Sequence, residues 1–179
     1  GKKEIAVHTL LYVPFMGSGT IGLGKGWEVR LGMGQVGQIF DEAPILGGDV
    51  SLTKSHIKRK WLYTSARFGI DYFTSPSMVK QVDKFNGIGV FTSYSLGLFP
   101  AYWLGLFSPL RVTYLYAKWE DDPSTGFAVI PGFGMSLEGK HFFARGSFNQ
   151  PVAIDYPLTP KVGDIFLFYY LGLQVGYRW

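Results

Sequence analysis

The chain has 179 residues, enough for one domain with a sizeable core, and carries a net charge of +4 with no long basic run, which argues against nucleic acid as a partner. It contains no cysteine, so a disulfide framework, a thiolate metal site and a cysteine nucleophile are excluded. Charged residues make up only 17%, below the roughly 25% of a typical soluble domain, while aromatics reach 17% and glycines number 24. That balance suits a surface that is partly out of water.

Taken in chain order, segments of alternating hydrophobicity run over Glu4–Phe15, Gly26–Phe40, Trp61–Phe73, Gly87–Leu98, Leu110–Trp119, Phe127–Leu137, His141–Phe148 and Asp164–Trp179. Polar, Gly-rich or Pro-rich stretches separate them, among them MGSGTIGLGK, TSPSMVKQVDKFN, EDDPSTG and QPVAIDYPLTPKVG. The uncharged stretch Gly87–Leu110 contains Pro100 and Pro109 and alternates small or polar with large apolar residues, so it reads as strand rather than membrane helix. LEGKH is a tight hairpin, whereas Asp41–Lys60 and Phe99–Pro109 are too long for the short turns expected at one end. The reading is therefore all-β over residues 1–179, a single antiparallel transmembrane β-barrel of eight strands, with a ten-strand count left open by those two long connections.

Alternation also assigns the faces. Trp27, Leu31, Met33, Phe68, Ile70, Val90, Tyr94, Leu96, Val112, Tyr114, Phe133 and Met135 fall on one side, which carries no charge. Glu4, His8, Glu28, Arg30, Arg67, Asp71, Arg111, Arg145, Asp164 and Arg178 fall on the other. A soluble barrel needs apolar residues inside; here the charges go inside, and a charge facing lipid near the midplane costs about 2–4 kcal/mol.

The final strand ends in Trp179, with Tyr177, Val175 and Leu173 on the same face. It resembles the C-terminal signature of bacterial outer-membrane β-barrel proteins. The resemblance covers this strand alone. It implies integral outer-membrane localisation, a leader removed before residue 1, and recognition of Tyr177 and Trp179 by the outer-membrane assembly machinery. Membrane lipids or lipopolysaccharide, and a protein neighbour in the membrane, are the other expected partners.

Candidate chemistry lies in the lumen. Glu28, Arg30, Arg67, Arg111, Arg145 and Arg178 form a charge network that reads either as a salt-bridged plug or as an anion-attracting lower lumen. Leu10, Tyr12, Phe91, Leu115, Trp119, Phe166, Phe168 and Tyr170 project inward in the outer half, a lining for an acyl chain or other hydrophobe, or simply packing. Pro131 removes a ladder donor from a strand that must pair on both sides, marking a lateral opening or a bulge. KSHIKRK, residues 54–60, is a basic cluster that reads as lipid-phosphate contact or as a solvated run.

No catalytic arrangement is legible. His8, His141, Ser95 and Ser147 do not reproduce the motifs of the lipid A deacylases or palmitoyltransferases, and three scattered His residues form no metal site. No cofactor is expected. The functional expectation is a non-enzymatic outer-membrane barrel that binds or passes a small hydrophobic molecule with lateral access to the bilayer. A lipid-modifying enzyme and a structural subunit of a larger complex are the alternatives.

Overall fold

The computed structural model describes residues 3–10, 13–39, 43–59, 61–74, 85–119, 122–150, 153–155 and 170–179. They form antiparallel strands β1 Lys3–Leu10, β2 Val13–Gly24, β3 Trp27–Ile39, β4 Ala43–Arg59, β5 Leu62–Thr74, β6 Phe85–Ala101, β7 Leu104–Trp119, β8 Asp122–Glu138, β9 Phe142–Asn149, β10 Ala153–Asp155 and β11 Tyr170–Arg178. Consecutive strands pair from β1 to β9, and β11 pairs with both β9 and β1, so ten strands close a barrel. The short β10 lies beside β8 above the end of β9, with Ala153 opposite Val129. No helix among the described residues is long and apolar enough to cross a membrane. The uncharged stretch Gly87–Leu110 instead forms β6 and the start of β7, joined at Tyr102–Trp103.

Ten strands rather than eight arise at two places. Residues read as a single strand, Glu4–Phe15, belong to β1 and the start of β2, and the Gly-rich stretch read as a loop is the rest of β2. Its period-two signal is weak because Gly17 and Gly19 carry no side chain, yet it pairs with both neighbours: Ser18 lies opposite Ala6 and Gly32. The long connection Asp41–Lys60 is mostly β4, where Asp49, Ser51, Thr53 and Ser55 point inward and Val50, Leu52 and Lys54 outward. The added β2 reverses the direction of β3. Glu28 and Arg30, placed high by an eight-strand reading, therefore lie close to the tight turn at Lys25–Gly26. Both turn residues have positive φ, 50° and 78°, as a two-residue hairpin requires, and the Ser55 carbonyl oxygen packs where a Cβ on Gly26 would stand.

Following Cα partners around the wall from Gly126 leads through Leu115, Gly89, Asp71, Asp49, Gly32, Ser18, Ala6, Gly176 and Phe143 to Glu138. The path returns to β8 twelve residues further along. With ten strands and standard strand spacings, that stagger tilts the strands by about 40° and sets a Cα radius of about 10 Å. Each residue then advances about 2.5 Å along the axis, and ten residues cover the ~25 Å apolar band of an outer-membrane barrel. Every residue on the path is buried or half-buried, so the charge-bearing face is the inner one.

Outside, Ile88, Val90, Tyr94, Leu96 and Leu98 on β6, Phe68, Ile70 and Tyr72 on β5, and Phe133, Met135 and Leu137 on β8 are all exposed. Trp27, Trp61, Trp103, Phe142, Tyr177 and Trp179 collect near the end that carries the tight turns, as an aromatic girdle would. Lys54 reaches over the Trp27 ring and Arg59 lies beside that of Trp61. The basic stretch 54–60 thus begins on the outer wall at girdle height.

Candidate functional site: an arginine-lined lumen

The inner wall is built from two opposite side-chain sizes. At four places an inward aromatic ring lies across the strand boundary over a directly opposed glycine: Phe91 over Gly69, Tyr63 over Gly97, Phe107 over Gly134 and Phe143 over Gly176. A strand glycine offers nothing to pack, and the neighbouring ring covers its backbone. Pressing the rings flat against the wall leaves the centre to the long polar side chains.

Those side chains form two groups, each set around one phenylalanine. In the first, Arg67 donates to Asp49 and, at 2.8 Å, to the Ser51 hydroxyl; Arg111 donates to Asp71 and, at 2.9 Å, to the Thr113 hydroxyl. Both guanidinium groups lie over the Phe91 ring, at 5.1 and 3.9 Å from its centroid. Arg30 approaches Asp49 from the other side, at 3.9 Å. In the second, Arg178 bridges Glu4 and Glu138 at 2.7 and 2.9 Å, and Arg145 donates to Glu138 at 3.1 Å. Arg145 and Arg178 lie over the Phe143 ring at 4.4 and 5.1 Å.

Exposure divides these pairs unequally. The side chains of Arg30, Arg67, Arg111 and Arg145 are 21–32% exposed, whereas their partners Asp49, Asp71 and Glu138 are only 8–14% exposed. The carboxylates sit against the wall. In the Arg178–Glu4 pair the two side chains are alike, at 16% and 18%.

Of the eight residues expected to line a hydrophobic upper lumen, two have described side chains. Phe91 and Leu115 point inward and are 1% exposed, packed into the wall. Tyr12, Phe166 and Phe168 lie outside the described residues; Leu10, Trp119 and Tyr170 belong to β1, β7 and β11, with only their backbone described. Pro131 is opposite Leu110 on β7, and its carbonyl accepts from the Gln150 amide at 3.0 Å, at the point where the partner of β8 changes from β9 to β10. Glu28 points inward beside Arg67's row, opposite Thr53. His141 is exposed at the turn end, 3.3 Å from the Arg178 carbonyl and stacked on Tyr177, while Ser147 accepts from Asn149 on β9.

Sequence reading missed Asp49, Glu138, Tyr63, Phe107 and Phe143 as lumen residues. Asp49 lay in an assumed connection, and Glu138 at a hairpin. Phe143 shares its parity with Arg145 on one strand, a signal that was available.

Tyr177 and Trp179 are outward, 41% and 53% exposed and stacked at 6.0 Å. Reciprocal backbone hydrogen bonds between Lys3 and Trp179, at 3.2 and 3.1 Å, close the barrel at this corner.

The architecture is thus an antiparallel closed barrel with an apolar exterior and an arginine-lined interior. No family model matches the sequence, and no curated protein matches it either. Among solved structures it is similar to OmpT of Vibrio cholerae, expressed in the outer membrane, at 11% identity and a TM-score of 0.42, covering 96% of this chain and 56% of that one. It is also similar to the outer-membrane protein Omp33 of Acinetobacter baumannii, at 11% identity and 0.38, covering 99% and 98%. The KdgM porin matches at 7% identity and 0.35, covering 100% and 98%. This chain therefore spans little more than half the length of the OmpT chain.

Proposed function

We propose that the chain is an integral outer-membrane barrel whose narrow wet lumen admits small hydrophilic solutes and favours anions. Supporting the membrane half is the inversion of faces: exposed large apolar residues outside, ion pairs inside. Supporting the solute half is the unequal exposure within four of the ion pairs, where the arginine side chain is more exposed than its carboxylate partner. A ring of basic side chains in a low-dielectric wall raises local anion concentration.

Planar-bilayer recording with a KCl gradient tests it. Wild type should conduct with a reversal potential on the anion side, and Arg67→Ala with Arg145→Ala should move that potential toward zero. A correctly folded barrel that never conducts would make the lumen a plug and end this reading.

A second reading keeps a hydrophobic molecule with lateral access near Pro131, favoured by the change of ladder partner at that residue. Pro131→Val restores a donor and should slow exchange of a copurified lipid, and Ala117→Trp, at a small inward position, should displace it. Unchanged lipid content in both variants would dismiss this reading.

A further inference from the structure

The outer wall carries a groove of about 790 Å³ across β8, β9, β11 and β1, on the half nearest the tight turns. Its sides are outward apolar residues, chiefly Trp103, Leu137, Phe142, Val175, Tyr177 and Ile5. Its floor is low because Ala144, directly opposite both Leu137 and Val175, is small, and because Ala6, Phe143 and Gly176 turn their side chains inward or have none. One residue further along the outer face of β9 stands Gly146, whose Cβ position is open.

The groove does not end in more apolar wall. At Gly139 it meets a smaller pocket of about 320 Å³ bounded by Gly139, Lys140, His141, Arg178 and Trp179. Lys140 is exposed there, and Lys3, exposed on the same face of β1 as Ile5, stands beside Trp179. The nearby acidic side chains are engaged elsewhere: Glu4 and Glu138 both point inward and accept from Arg178, and Glu138 also accepts from Arg145. An apolar trough therefore runs into a cationic, aromatic-edged mouth at girdle height. We infer that this groove is a binding site for one anionic phospholipid, its acyl chain along Ala144 and its phosphate at Lys140. Short turns belong to the periplasmic side of such barrels, so the leaflet concerned is the phospholipid one. The inference rests on the bilayer reading of the outer wall.

Native mass spectrometry of the full chain in detergent, titrated with phosphatidylglycerol or with phosphatidylcholine of the same acyl chains, tests it. Wild type should hold one phosphatidylglycerol in preference to phosphatidylcholine by about fivefold, the factor expected for a basic residue near a phosphate. Lys140→Ala should erase the head-group preference while leaving weak binding of both lipids. Ala144→Trp, a lipid-facing change that fills the trough, should reduce both. Equal binding of the two lipids by wild type, or indifference to both substitutions in barrels that keep their heat-modifiable migration, would overturn the lipid site alone. A chain that stays monomeric in buffer without detergent would instead overturn the bilayer reading beneath it.

Discussion

Gly97 and Gly17 are chemically identical and structurally opposite. A Cβ on Gly97 would enter the Tyr63 ring, whereas one on Gly17 would meet nothing within 4 Å. Gly97→Ala should therefore destabilise the barrel by about 1–3 kcal/mol through overpacking. Gly17→Ala should be neutral or should stabilise by up to about 1 kcal/mol, because it restricts the unfolded chain at no steric cost. Urea unfolding from liposomes checks both, and equal effects would mean that the ring does not lie over the glycine. The lumen ion pairs allow a similar contrast. Arg111→Ala strands the Asp71 carboxylate, only 5% exposed as a residue, and should cost about 2–3 kcal/mol, somewhat below a dry buried pair because water reaches the site. Adding Asp71→Ala should recover part of that loss; a strictly additive double variant would argue against direct coupling.

Strands with large outward side chains were legible in the sequence, and strands with small ones were not. β5 and β6 alternate bulky apolar with small or charged residues, and their faces follow directly from Phe68, Ile70, Val90 and Tyr94. β2 alternates glycine with Met16, Ser18 and Thr20, so its composition resembles a loop while its ladder on both sides makes it a strand. Hydrogen exchange should show residues 13–24 as strongly protected as 27–39; fast exchange there would restore an eight-strand count. The last strand supplies another test. Removing Trp179 or changing Tyr177→Asp should lower insertion far more than Gln174→Ala, since the first two face the girdle and Gln174 faces the lumen. Comparable yields of all three in outer-membrane fractions would contradict that register.

At the scale of the whole barrel, strand number and stagger fix what the lumen can be. Eight strands give an interior that side chains just fill. Ten strands, many inward glycines and rings pressed to the wall leave the side chains of Arg30, Arg67, Arg111 and Arg145 21–32% exposed. The network's arginines were visible in the sequence through their parity. Their pairing with Asp49 and Glu138 was not, because both acids approach through long-range register set by barrel closure. In a membrane barrel β6 separates lipid from water, residue by residue. Nitroxide labels at Thr92, Ser93, Tyr94, Ser95 and Leu96 in reconstituted protein test it through collision with oxygen, which concentrates in lipid, and with a water-soluble nickel chelate. Thr92, Tyr94 and Leu96 should favour oxygen and Ser93 and Ser95 the chelate, in strict alternation. Outward positions that meet the chelate as readily as the inward ones would contradict the membrane barrel itself.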